Sequence, residues 1–143
     1  MLNRIFKSQN YYPLLALGVA TACASISAQA ADEQFNDALR AANAGNISLL
    51  QQYQSQMQND ALGYYPEYWM LNTNLASQPT SSITNFAQRY PQSAMAEKLS
   101  ADYVEEKVKM ADFASAQPVL QYVSNPDQAE SCAMAQVRAK SGD

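Results

Sequence analysis

Tyr64-Tyr65-Pro66-Glu67-Tyr68-Trp69, continued by Met70 and Leu71, holds the only Trp of the chain and three of its nine Tyr. Pro66 has its φ fixed near the helical value and carries no N–H, which suits the first turn of a helix. Trp69 follows three residues on, and Leu71 and Leu75 extend the apolar run. The stretch predicts a short, heavily buried helix from Tyr65 to about Leu75, with Gly63 ending the approach to it. Each ring can bury roughly 150–250 Å². Tyr64, Tyr65, Pro66, Tyr68 and Trp69 are therefore expected to form a structural hub on which neighbouring helices pack. A sugar-stacking platform is the functional alternative for the same rings.

Outward from the hub, the apolar residues keep helical spacing. On the N-terminal side, Phe35, Ala38, Leu39 and Ala42 fall at i, i+3, i+4 and i+7 on a helix beginning near Asp32. Gly45 is a natural stop and Asn46 a natural cap for a second helix, Ile47 to Met57, with Leu49, Leu50, Tyr53 and Met57 on one side. On the C-terminal side, Ser77 to Ser82 is a polar break containing Pro79. Ile83, Phe86, Ala87 and Tyr90 then repeat the pattern until Pro91 ends it. Ser93 caps a helix carrying Met95, Leu99 and Tyr103, widened by Val104 and Val108. A turn at Met110 to Asp112 leads to Phe113, Val119 and Leu120, where Pro118 should kink or shorten the helix. Asn125 and Pro126 are expected as cap and first position of a last helix to about Lys140.

β-Branched residues are sparse after Ala30 and no stretch alternates over the length of a strand, so the fold class is all-α, with about seven helices. The turns recur. Ala42 to Asn46 and Ala139 to Asp143 both place Ala three residues before Gly, and Met110-Ala111-Asp112-Phe113 joins two helices without a Gly. Recurrent helix hairpins of this kind imply an α-solenoid or superhelix, although no strict period holds and the tetratricopeptide consensus is not met. The sequence stops where Gly142 and Asp143 would open another helix. The expectation is a solenoid incomplete at its C-terminal edge, with apolar surface exposed on the last helix and marginal folding or self-association as the result.

Met1 to Ala30 reads as a signal peptide. Arg4 and Lys7 give a basic start, Leu14 to Val19 lie in an apolar run, and Ala28-Gln29-Ala30 places small residues where a signal peptidase looks, so cleavage is expected between Ala30 and Ala31. The apolar run is short of the roughly 20 residues a membrane span requires. Residues 31–143 then form one small mature domain. Arg4 and Lys7 leave with the signal and no acid does, so the net charge moves from −4 to −6.

An acidic chain without His is unsuited to nucleic acid, whose phosphates demand a basic face. It also lacks the commonest metal ligand and the usual base of a catalytic triad. No catalytic or metal residues and no cofactor are expected. Asp102, Glu105 and Glu106 share a helix face, most simply a solvated one, and Glu67 sits where a carboxylate favours a helix start. With Cys23 gone, Cys132 stands alone in an oxidising compartment, or it is a small buried Cys on an Ala-rich face.

The ordered set Tyr64 to Trp69, Phe86-x-x-x-Tyr90-Pro91-x-Ser93, Ala96-x-x-Leu99-x-x-x-Tyr103, Asp112-Phe113, Cys132 and Gly142 resembles the start of the N-terminal superhelical domain of the soluble lytic murein transglycosylases. The resemblance covers residues 31–143. It implies a periplasmic location and a parent enzyme that cleaves the β-1,4 bond between N-acetylmuramic acid and N-acetylglucosamine of peptidoglycan, leaving 1,6-anhydro ends. It implies, as partners, peptidoglycan through a lysozyme-like catalytic domain and the remainder of the superhelix. The family's catalytic Glu lies in a Glu-Ser motif followed by Gly-Leu-Met-Gln, which this chain lacks. Glu130-Ser131 matches in letters only, ahead of an Ala-rich helix, and is rejected. The chain alone is therefore expected to be an inactive scaffold segment. The resemblance also implies that Cys132 pairs with a cysteine beyond Asp143. The rival reading is a stand-alone exported helical-repeat adaptor that offers a groove to a partner protein.

Overall fold

The computed structural model describes residues 20–91 and 93–142, with side chains from residue 30 onward. Most of the expected signal peptide, including Arg4, Lys7 and the apolar run, lies outside the described residues, as do the side chains of Cys23 and Ala28. The described chain is helical and contains no strand: α1 Ala20–Asn43, α2 Ile47–Gln56, α3 Tyr65–Asn72, α4 Thr80–Arg89, α5 Ala94–Lys109, α6 Phe113–Ala116 and α7 Gln128–Ser141. Two 3₁₀ segments, Leu75–Ser77 and Gln117–Tyr122, complete it. No helix among these residues is long and apolar enough to cross a membrane. Gln34–Asp143 forms one compact unit.

Helix α1 begins well before Asp32, the expected start, because no Gly or Pro interrupts residues 20–43; the expected cleavage point after Ala30 falls within it. Its packed face also differs. Ala38 and Ala41 are buried while Leu39 is exposed, and Leu50 of α2 and Met57 at its end are buried as well. Gln34 donates to Gln56 at 3.0 Å, which pairs α1 with α2 in antiparallel sense. Gly45 (φ 65°) and Asn46 close the turn. The Gly45 N–H donates to Ala42 and the Asn46 N–H to Ala41, and the Asn46 side chain accepts from Leu49. That is the Schellman closure that a residue with positive φ permits.

The turn at 110–112 has the same two bonds, from Ala111 to Val108 and from Asp112 to Lys107. Here the left-handed position is taken by Ala111 at φ 58°. The likeness among the turns therefore extends to backbone geometry, with an alanine holding a conformation that suits glycine.

The centre of the molecule is α5. It packs against α3, α4, α6, α7 and both 3₁₀ segments. Leu99 and Tyr103 on α5, Phe86 and Ile83 on α4, and Val119 and Val137 from the C-terminal elements are all fully buried. Burial of roughly 25 cal/mol per Å² of apolar surface makes this cluster the main favourable term. The Tyr103 hydroxyl lies 3.0 Å from Thr80 Oγ1 and 3.3 Å from the Gln78 carbonyl, while Thr80 donates to the Ser115 carbonyl. These bonds fasten the start of α4 and the end of α6 to the middle of α5.

Several boundaries differ from the expectations, each for a local reason. α3 stops at Asn72: Thr73 Oγ1 bonds back to the Trp69 carbonyl, and Asn74 (φ −143°) leaves the helical region. α4 begins at Thr80, inside the expected break, because Pro79 stands extended as its cap. Pro118 does shorten α6, turning the chain into 3₁₀ geometry. α7 is capped by Asp127 rather than Asn125, since Glu130 lies three residues beyond Asp127 and completes a capping box.

The last helix also corrects an expectation. Met134 and Val137 of α7 are buried, and its outward face presents small or polar residues such as Cys132, Ala135 and Gln136. The exposed large apolar residues among those described are Leu39, Ile47, Leu62 and Met110, none of them on α7.

Candidate functional site

The aromatic stretch forms a connected set of rings, less buried than the heavily buried helix expected. Pro66 and Tyr68 are buried, whereas Tyr64, Tyr65 and Trp69 are half-buried. Tyr65 is the junction, with ring centroids 4.7 Å from Tyr64, 5.3 Å from Trp69, 6.4 Å from Tyr68 and 5.2 Å from Phe35 of α1. Tyr64 continues to Tyr90 at 5.6 Å, and Tyr90 to Phe86 at 5.0 Å. The rings thus lead from α1 to the core around α5. Offset and edge contacts of this kind contribute about 0.5–1.5 kcal/mol each beyond area burial. Burial pushes the Tyr65 and Tyr68 hydroxyls above the ordinary tyrosine value, with Tyr64 adding to the effect at Tyr65. Both stay neutral across the physiological range.

Beside the rings lies a polar cleft of about 330 Å³. Gln51, Gln54 and Ser55 of α2, with Gln58 in the turn after it, line one wall, and Arg89 and Tyr90 at the end of α4 form the other. Gly63 closes the floor. A Cβ there would stand 1.9 Å from the Met57 carbonyl oxygen, so only glycine fits. Glu67 organises the polar groups. One carboxylate oxygen is bound by Arg89, and the other accepts from Gln54 Nε2 at 3.1 Å. Arg89 also donates from Nε to the Asn85 carbonyl at 3.3 Å and lies over the Tyr90 ring at 5.5 Å. Sequence reading assigned Glu67 to the helix start alone. Its partners, 13 and 22 residues away along the chain, gave no local signal.

A second cleft, about 420 Å³, lies between the start of α5 and the segment 121–124. Glu97 accepts there from the Ser124 and Asn125 N–H groups at 2.9 and 2.6 Å, holding the loop that leads to α7. Its Oε1 is thereby committed to backbone. Of the remaining carboxylates singled out from the sequence, Asp102, Glu106 and Glu130 have structural partners too. Asp102 pairs with Lys98 at 2.9 Å and Glu106 with Lys109 at 2.7 Å, while Glu105 lines the same shallow surface. The bond to Asp102 raises the Lys98 pKa. Glu130 accepts from the Asp127 N–H at 2.9 Å, the reciprocal half of the capping box, so its side chain is turned to its own helix start.

Cys132 is exposed, which corrects the buried alternative, and its sulfur is unpaired and accepts a weak bond from Gln136 at 3.8 Å. Lys107, absent from every sequence-based list, is buried. It donates to the Ala76 carbonyl at 3.0 Å, pairs with Asp112 at 3.4 Å and lies 5.2 Å from the Tyr103 ring centre. The signal that could have found it is its spacing, since it continues the Ser100, Tyr103 and Val104 face of α5. Comparison with protein-family models, with curated proteins and with solved structures found no match to this chain.

Proposed function

We propose that the chain is a scaffold segment of a periplasmic soluble lytic transglycosylase, itself non-catalytic, whose parent cleaves the MurNAc–GlcNAc bond of peptidoglycan to 1,6-anhydro products. The observation that carries this reading is where the residues of the resemblance lie. Phe86, Ala96, Leu99 and Tyr103 are buried together between α4 and α5, and Tyr64, Tyr65, Trp69 and Tyr90 pack against them. They are packing landmarks, which is what a structural domain shares with its relatives. The helix pairs α1–α2 and α5–α6, closed by Schellman turns, support a superhelical arrangement continued by further helix pairs. In the parent, this segment braces the superhelix, while a lysozyme-like domain supplies the general acid and contacts the glycan. Export by the N-terminal signal brings it to the periplasm.

The DNA following the codon for Asp143 tests the proposal. A reading frame that continues, directly or past a frameshift, into a Glu-Ser motif followed by Gly-Leu-Met-Gln is the expected result. A stop codon followed by unrelated sequence would overturn it and leave an exported adaptor as the reading. Murein zymography is the independent check: the chain alone should leave the gel opaque, and a cleared band would show that chemistry resides here.

A further inference from the structure

We propose that the cleft between the start of α5 and the segment 121–124 is a binding site for a small primary alkylammonium. This inference rests on the cleft alone and holds whether or not the parent is a transglycosylase. The volume, about 420 Å³, falls within the range for small-ligand sites. Among the described residues that line it, Glu97 is the one that carries a charge. Its Oε1 is fixed by the Ser124 and Asn125 N–H groups, and its Oε2 has no hydrogen-bond partner among the described residues. Gln121 spends its Nε2 on the Pro118 carbonyl at 3.0 Å, so its amide oxygen remains as an acceptor, and Ser124 adds a hydroxyl oxygen. An ammonium group has three N–H donors and no acceptor, which matches three such oxygens. Ala87, Ala96 and the Tyr122 ring supply apolar wall for a short alkyl chain.

The committed Oε1 narrows the choice of cation. A guanidinium binds best as a fork across both carboxylate oxygens, and one of the two is taken here. For an ammonium a single N–H to Oε2 suffices. A quaternary ammonium has no N–H to give and relies on a cage of aromatic faces, whereas Tyr122 is the one aromatic residue among those described in the lining. An anion would meet the Glu97 charge with no cation beside it, and a neutral alcohol or amide would leave that charge unanswered. The two backbone N–H groups and the N-terminus of α5 draw on the same carboxylate, and half-exposed pairs gain little in water. Binding is therefore expected at millimolar concentration.

The test is a titration of the isotopically labelled full chain with n-butylamine at neutral pH, where it is the ammonium, followed by amide chemical shifts. Saturating shifts at Glu97 and across residues 121–125 are expected. n-Butanol and butyrate, of the same length, and ethylguanidinium should each bind about fivefold more weakly. Glu97→Gln keeps an oxygen for the Ser124 and Asn125 N–H groups and removes the charge. Its affinity for butylammonium should fall about fivefold while amide exchange in α7 stays parental. Gln121→Ala, at an exposed position, should weaken binding without disturbing the fold. Four outcomes overturn the proposal: no saturable shifts at tens of millimolar amine, shifts centred elsewhere, equal binding of n-butanol or ethylguanidinium, or parental binding in a folded Glu97→Gln. If Glu97→Gln loses α7, Gln121→Ala takes its place, and parental binding there overturns the proposal. None of these results bears on the reading frame beyond Asp143, so failure here is distinguishable from failure of the scaffold proposal.

Discussion

Local chemistry and the fold are least matched at Ala111. Ala111 holds φ 58°, a left-handed conformation that costs an L-residue roughly 1–2 kcal/mol. Ala111→Gly should therefore raise stability by about 1 kcal/mol in urea unfolding, with the slope of the transition unchanged. Gly45→Ala should lower it by a similar amount, about 1 kcal/mol. Nothing lies within 4 Å of a Cβ at Gly45, so the difference there is conformational alone. A destabilised Ala111→Gly would refute the turn assignment. Gly63 is the opposite case: its φ is unremarkable, but the Met57 carbonyl excludes a side chain. Gly63→Ala should cost about 1–3 kcal/mol by overpacking and loosen the end of α2. Asp112 adds a pH dependence. A hydrogen bond with Ser115, reinforced by Lys107, holds its carboxyl below the usual aspartate range. A depressed folded-state pKa gives stability that is complete above the ordinary aspartate value and is lost as pH falls through the lower one. Asp112→Asn keeps a capping oxygen without the charge, so its urea midpoint should vary less than that of the parent across this acid window. Identical curves would count against the contribution.

At the scale of elements, what was legible depended on how far the deciding interaction reached along the chain. Gly45 and Asn46 were readable because stop and cap are adjacent, and Ser93 because its hydroxyl meets the Met95 N–H two residues on. Pro118 was readable because its ring acts on its own turn. The start of α7 was misplaced by two residues: Asn125-Pro126 has the composition of a cap, yet the Glu97 carboxylate binds the backbone at 124–125 from 27 residues away. The chain is thereby free to begin the helix at Asp127, where Glu130 completes the box. Leu39 was misread because spacing alone does not reveal that the buried face of α1 runs through Ala38 and Ala41. The polar cleft could not be read at all, since Glu67, Gln54 and Arg89 meet only through tertiary packing. The box makes a prediction of its own. Asp127→Ala should cost about 1 kcal/mol and fray the first turn of α7, seen as faster amide exchange at Ser131 and Cys132. Exchange unchanged there would mean that packing of Met134 and Val137 fixes the helix start without the cap.

Across the whole of Gln34–Asp143 the apolar interior has two parts. Residues from Tyr68 to Val137 form one cluster centred on α5, while Ala38, Ala41, Leu50 and Met57 lie buried under α1 and α2 outside it. The rings of Phe35, Trp69 and Tyr65, then Tyr64, Tyr90 and Phe86, run from the smaller part to the larger. The stretch that stands out in the sequence is thus a seam between two packed regions, and the fully buried centre is Leu99 and Tyr103 on α5. A seam and a centre fail differently. Leu99→Ala removes a side chain at 0 % exposure and should cost about 2–5 kcal/mol. Because α5 touches most of the other elements, exchange of slow amides throughout the unit should accelerate together. Trp69→Leu removes the ring contacts to Phe35 and Tyr65 and leaves the fully buried centre of α5 in place, so the hairpin α1–α2 should open on its own. Amides of Leu50 and Tyr53 would then exchange at least tenfold faster, while those of Leu99 and Val104 keep nearly their parental rates. If both variants accelerated both sets of amides equally, the interior would be one cooperative core and the rings would be part of it.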